Sequence, residues 1–181
     1  MIEINNLTTV AVDEEFFKKV AKIVLEGEKK EGNLSIALVG QGRMRELNKR
    51  YRKKNRATDV LAFPESKILL KRLNRASLLQ EIQSLGEIII CLREVRKNAK
   101  RFESTIRALA KGGDERSSLT TELSLAEAKV KMRTKFSSPF EKELARVLIH
   151  GILHILGYVH ERTEKEAKIM EEKQNYYFSQ I

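Results

Sequence analysis

The sequence predicts an α+β fold in a single domain, and three observations predict it. Short runs that alternate apolar and polar residues, or are continuously apolar and β-branched, are interspersed with longer runs whose apolar residues recur every three or four positions. At 181 residues the chain can build one full core but not two domains of ordinary size. With 41% hydrophobic and 33% charged residues and a mean hydropathy of −0.40, its composition is that of a globular protein, neither disordered nor membrane-spanning.

Taken in order, MIEINNL alternates as a strand does, and DEEFFKKVAKIVLEGEKKEG repeats Phe16, Val20, Ile23 and Val24 at helical spacing. Asp13 is placed to cap that helix, and Gly32 lies near its end. NLSIALVG is a buried-strand run. GRMRELNKRYR is a short basic helix with Met44, Leu47 and Tyr51 on one face. TDVLAFP reads as a strand stopped by Pro64, and GEIIICL as a β-branched strand opened by Gly86. Between these two, SKILLKRLNRASLLQEIQSL reads equally as an amphipathic helix or an irregular connection.

REVRKNAKRFESTIRALAKGG is helical up to Gly112 and Gly113, and a further helix centres on LSLAEAKVKM. SSPFEKELARVLIHGILHILG carries the strongest helical signal, with Ser138 as N-cap, Pro139 at the first position and acids in the first turn. Its apolar face runs through Leu144, Val147, Leu148, Ile152 and Ile155. A last helix spans about Glu161 to Phe178. The total is about four strands and five or six helices.

The chain opens without a basic stretch leading into an apolar one, and no window approaches the roughly 18 apolar residues of a spanning helix, so a cytoplasmic location is expected. The lone cysteine, Cys91, sits in an apolar run and reads as a small core residue. The net charge of +10 is unevenly distributed. Residues 41–56 carry eight Lys/Arg against one acid, and residues 66–135 carry sixteen against eight. A basic face concentrated in part of a small domain suits a polyanionic partner, and a lysine-rich solvated surface would look the same on charge alone.

All three histidines fall in HGILHILGYVHE, at 150, 154 and 160. Residues four apart share a helix face, so His150 and His154 can address one metal ion. Gly157 stands where a helix commonly ends in left-handed backbone, which lets His160 return as a third ligand. The pattern HxxxHxxGxxH has the ligand spacing of metzincin zinc proteases, with Gly151 where their catalytic glutamate stands. Three imidazoles leave one tetrahedral position open, the arrangement of a catalytic zinc. Without the glutamate, peptide hydrolysis is poorly supported, whereas a phosphodiester needs cations on its non-bridging oxygens.

HGILHILGYVH resembles the HGxLHLxGYDH signature of the YbeY family of bacterial metal-dependent endoribonucleases, also called rRNA maturation factors. LNKRYRKKNRATDVLAFPE is similar to that family's LNxxYRxxDxxTDVLSFP segment, and LGEIIICLREVRKNA to its GDIxIxxxxxxxxA strand and helix. The resemblance implies a single α+β domain over 1–181, with a small mixed sheet and a zincin-like metal-site helix. It implies zinc on His150, His154 and His160, and Arg52 as the functional arginine. It also implies cleavage of single-stranded RNA in maturation of ribosomal RNA precursors, notably the small-subunit 3′ end, and a role in ribosome quality control on the small subunit. Arg50, Lys53, Lys54 and Arg56, which surround Arg52, are the expected RNA contacts.

Two features depart from the family pattern. Val159 replaces the aspartate before the third histidine, with Glu161 as a candidate substitute. Fifty residues separate Ala99 from His150, longer than the resemblance implies, so a basic helical insertion is expected at about 103–135. Two other readings remain open: a ribosome-assembly factor that binds RNA around a structural zinc, and a zinc hydrolase acting on something other than RNA.

Overall fold

A computed structural model describes residues 1–65, 84–111, 136, 138–160 and 163–181. Nine elements are ordered along the chain as β1 (Ile2–Asn6), α1 (Glu14–Gly27), β2 (Asn33–Leu38), α2 (Gln41–Arg52), β3 (Val60–Pro64), β4 (Ser84–Ile90), α3 (Leu92–Lys111), α4 (Pro139–Ile155) and α5 (Glu164–Gln180). The strands form one mixed sheet in the order β1-β2-β4-β3. β1 and β4 each run parallel to β2, with Ile4 opposite Ile36 and Ile36 opposite Ile88. β3 pairs antiparallel with β4, Val60 opposite Ile90, and forms one edge. The fold is the α+β arrangement expected, with a four-stranded mixed sheet and, among the described residues, five helices. No helix among those residues is long and apolar enough to cross a membrane.

Alternation along the strands divides the apolar residues between two cores. Leu34, Ile36 and Leu38 of β2 join Ile88 and Ile90 of β4 in the larger core, covered by α1, α3, α4 and α5. Ala37, Val39, Leu61, Ile89 and Cys91 line a smaller one, which Met44 and Leu47 of α2 cover. Cys91 is fully buried there, as its neighbours predicted. Tyr51 is a partial exception to the expected α2 face. Its ring is 55% exposed and meets Phe63 edge-on, 4.9 Å between centroids.

Helix α4 is the centre of the larger core. Ser138 caps it by accepting from the Glu141 N–H (3.2 Å), and Pro139 occupies the first turn, where a missing N–H costs nothing. It packs against β3, β4, α1, α3 and α5, and nine of its residues are buried, more than one face can hold. Gly151 permits the closest approach to the sheet. A Cβ there would lie 3.0 Å from Ile88 Cγ2 and 3.3 Å from Val60 Cγ2.

Some boundaries differ from expectation for local reasons. α1 ends at Gly27 and not near Gly32, because Glu28 closes it and Lys29 turns the chain with φ 52°. Its buried face holds Phe17, Ala21 and Leu25 besides Val20 and Val24, so Phe16 and Ile23 are only half-buried. α5 begins at Glu164, where the Thr163 hydroxyl caps the Glu166 N–H. Of the expected insertion, 103–111 continue α3, and 112–135, like the connection 66–83, lie outside the described residues.

The close seating at Gly151 makes this position sensitive to size. Gly151→Val drives a branched side chain into Ile88 and Val60, and overpacking of this kind costs about 1–3 kcal/mol. The urea midpoint of the variant should fall accordingly. A midpoint at or above that of the wild type would show that the helix-to-sheet packing yields freely.

Candidate metal centre and basic surface

The C-terminal end of α4 builds the histidine cluster. Leu156 caps the helix and Gly157 follows with φ +96°. The Gly157 N–H donates to the His154 carbonyl and the Tyr158 N–H to the Leu153 carbonyl, both at 3.0 Å. This pair of bonds is a Schellman closure, and it reverses the chain so that 158–160 return towards the helix face bearing His150 and His154. The three imidazoles are brought together, with ring centroids 4.6 Å (150–154), 5.2 Å (150–160) and 5.1 Å (154–160) apart. Their ligand nitrogens all lie within 4.8 Å of one another.

Hydrogen bonding fixes which nitrogens face inward. His154 Nδ1 donates to the Tyr158 carbonyl (2.9 Å), and His150 Nδ1 donates to Gln174 Oε1 on α5 (3.0 Å). With both Nδ1 atoms carrying the proton, the two Nε2 atoms, 3.1 Å apart, present lone pairs to each other. Lone pairs so placed repel, and a shared cation turns that repulsion into attraction. Burial, followed by the charges of His154, His160 and Arg146, pulls the His150 pKa down to about 4. His150 is therefore neutral at pH 7 and can ligate without first shedding a proton. The donor set, three imidazoles of which His150 and His154 have oriented tautomers, suits a divalent metal of intermediate softness.

The turn carrying Tyr158 is anchored from a distance. Glu28, at the end of α1, accepts from the Tyr158 hydroxyl (2.8 Å), the Tyr177 hydroxyl (2.5 Å) and Lys173 Nζ (2.8 Å). Burial opposes ionisation of Glu28, but the donors from Lys173, Tyr177 and Tyr158 outweigh it and lower its pKa below the ordinary 4.5. α1, the turn that leads to His160 and α5 thus meet on one carboxylate.

On the other side of the cluster, Arg146 stands one helical turn before His150. It forms a two-point pair with Glu143, at 2.9 and 2.6 Å, and its charge is further supported by Asp59. Sequence reasoning misses both Arg146 and Gln174. The spacing 146, 150, 154 could have revealed Arg146, whereas nothing local marks Gln174, which is placed by how α5 docks. Gly151 also gains a meaning beyond the absent protease glutamate, since this position faces the sheet.

Arg52 is exposed in the last turn of α2, beside Arg50 and Tyr51, whose ring lies 5.6 Å from the Arg50 guanidinium. Lys53 ends α2 in left-handed backbone (φ 60°), and Lys54 and Arg56 follow on an exposed loop. Buried Asn48 holds that loop to the helix by donating to the Arg56 carbonyl (2.7 Å). Arg50, Arg52 and Lys53 thus end α2, on the opposite sheet face from α4, and Lys54 and Arg56 follow in the loop that leads to β3. Val159 is half-buried between Gly157 and His160, and Glu161 lies outside the described residues.

Comparison with known proteins decides the family. The family model described as endoribonuclease YbeY matches residues 3–111 and 122–181. The chain belongs to the endoribonuclease YbeY family. A relative named endoribonuclease YbeY from Thermotoga maritima is 30% identical over 167 residues, covering 92% of this chain and 79% of the relative. A protein of the same name from Thermotoga neapolitana is 32% identical over 170 residues (92% and 81%), and one from a Sulfurihydrogenibium species 29% over 171 (94% and 84%). The solution structure of a Thermotoga maritima protein superposes with a TM-score of 0.53 at 27% identity, covering 98% of this chain and 87% of the other. The family match passes through both the histidine cluster and the basic end of α2. It breaks at 112–121, inside the stretch where an insertion was expected.

The Glu28 cluster predicts a pH-dependent stability. Because its folded pKa is depressed, the Glu28 carboxylate stabilises the fold fully above about pH 4.5, and the effect is lost as pH falls through the folded value. Glu28→Gln should cost on the order of 1–3 kcal/mol at pH 7 through its weakened charge-assisted bonds. Urea titrations of both proteins at descending pH should show the gap narrowing on the acid side. A gap that stays constant with pH would rule out the charge as its source.

Proposed function

We propose that the protein is a zinc-dependent endoribonuclease that hydrolyses single-stranded RNA, acting on ribosomal RNA precursors at the small-subunit 3′ end and in ribosome quality control in the cytoplasm. The observation that carries the reading is the convergence of three imidazoles, two of them with Nδ1 protons held outward, in a chain of this family with a strongly basic surface. His150, His154 and His160 would hold the metal, and the nitrogen-only ligand set favours zinc. Bound zinc supplies Lewis acidity and makes water more acidic at neutral pH.

The protein's own residues supply the rest. Arg52 offers a planar guanidinium to the non-bridging oxygens of the scissile phosphate, where negative charge grows in the transition state. Arg50, Lys53, Lys54 and Arg56 neutralise the flanking backbone, and exposed Tyr51 offers a ring on which an unpaired base can stack. Gln174 and the Tyr158 carbonyl keep the His150 and His154 rings in their tautomers throughout.

Two variants test this assignment. His154→Ala should lose the metal, read by elemental analysis, and with it RNA cleavage. Arg52→Ala should keep the metal and most RNA affinity while cleavage falls by about 10²-fold or more. Undiminished cleavage by metal-free His154→Ala would refute the metal-dependent reading. Loss of affinity and cleavage in parallel in Arg52→Ala would assign that residue to binding alone.

A further inference from the structure

A second site lies outside the histidine cluster, at the carboxyl ends of β2 and β4. These strands are adjacent and parallel, yet β2 leads into α2 on the smaller-core face and β4 into α3 on the opposite one. Helices that diverge from neighbouring parallel strands leave a crevice between them, the place where open α/β sheets hold ligands. Here the crevice is a cavity of about 570 Å³ among Gln41, Gly42 and Arg45 of α2, Arg56 before β3, and Lys97 and Arg101 of α3.

Its charge balance favours an anion. Two carboxylates also reach the cavity, but both are engaged within the protein. Asp59 accepts from the Val60 N–H (2.9 Å), the Thr58 hydroxyl (3.1 Å) and Asn98 (3.1 Å), and Glu94 accepts from Gln41 and Lys97. Among the described residues, Arg56 and Arg101 form no ion pair.

Gly42 adds an independent observation. It lies in the right-handed first turn of α2, and a Cβ on it would meet nothing within 4 Å. Neither strain nor packing calls for glycine, which costs a helix about 1 kcal/mol relative to alanine. What the glycine leaves is bare backbone facing the cavity. Gly40, at the N-cap, supplies no side-chain acceptor, so the first-turn N–H groups and the positive end of the helix dipole remain available to a ligand.

We propose that this crevice binds a phosphodiester group of the RNA substrate, one or more nucleotides away from the scissile bond. The proposal rests on the endoribonuclease reading and adds a substrate subsite to it. The volume suits one nucleotide. Asp59, on the crevice wall, directly precedes β3, and β3 packs against α4, the helix that carries His150 and His154.

The test uses the full-length, metal-loaded protein and a fluorescein-labelled single-stranded RNA, with affinity read by anisotropy and cleavage on gels. Lys97→Gln/Arg101→Gln should bind about ten-fold more weakly or worse, with the salt dependence of log K shallower by about 0.7 for each phosphate that is no longer neutralised. Lys19→Gln/Lys30→Gln, the same charge removed from exposed positions elsewhere, should stay within about two-fold of wild type. Gly42→Glu should weaken binding like the crevice pair, and Gly42→Ala should unfold at higher urea than wild type. Inorganic phosphate and adenosine monophosphate, titrated alongside, should compete only weakly.

Equal effects from the two double variants would overturn the crevice, as would tight binding of inorganic phosphate or of the mononucleotide with RNA affinity unchanged in Gly42→Glu. A wild type that cleaves RNA while every crevice variant matches it would reject the subsite alone. A wild type that neither binds nor cleaves RNA would reject the endoribonuclease reading itself.

Discussion

The seating of α4 on the sheet is the constraint from which the rest follows. A helix with nine buried residues cannot rotate or slide without exposing apolar surface or opening a void, at roughly 25 cal/mol for each Å² exposed. Gly151 sets its depth, because a methyl group there would press on Ile88 and Val60. His150 and His154 belong to the same helix, one residue before and three residues after that contact. Their direction is thus set by the packing of the core, and the histidine cluster inherits the rigidity of the hydrophobic interior.

Rigidity of the helix does not by itself place His160, which lies beyond the helix end. The Schellman closure at Gly157 sets the turn, and Glu28 then holds it from outside by taking the Tyr158 hydroxyl. The backbone carbonyl of the same tyrosine orients His154. One residue therefore links a distant carboxylate to the tautomer of His154. Lys173 and Tyr177 bring α5 to the same carboxylate, and α5 in turn supplies Gln174 to His150. Two of the three histidines are oriented by elements that meet at Glu28, so the outer layer of the cluster is a tertiary feature assembled from α1, the turn and α5.

That difference explains what could be read in the sequence. The spacing of His150, His154, Gly157 and His160 is local, and helix geometry plus one left-handed residue turns it directly into a cluster. The α4 signals, Ser138, Pro139 and the apolar repeat, are local as well and correspond to the observed cap and core. Glu28, Gln174 and Asp59 carry no such mark, since each acquires its role from a partner dozens of residues away. Tyr51 shows the converse limit: its spacing matches the α2 core face, but the sheet edge beneath it offers only Phe63, and much of the ring stays in solvent. The basic segment 41–56 was legible as charge, but its division into two surfaces was not. Arg45 and Arg56 reach the crevice, whereas Arg50, Arg52 and Lys53 end α2.

This division bears on how a polyanion would be held. α2 and α4 lie on opposite faces of the sheet, and β3 is the edge between them. For Arg52 and the histidine cluster to act on one phosphate, that phosphate must lie at this edge, where a flexible single strand is placed at lower cost than a duplex of uniform curvature. The residue just before β3 is held on three sides: Asp59 accepts from Asn98 on α3 and from the Thr58 hydroxyl through its carboxylate, and from the Cys91 N–H, just after β4, through its carbonyl. Asp59 is therefore a junction at which the crevice, the sheet edge and α3 are held together. Its carboxylate accepts from the Val60 N–H, the Thr58 hydroxyl and Asn98, so these three donors fix its position between the start of β3 and α3.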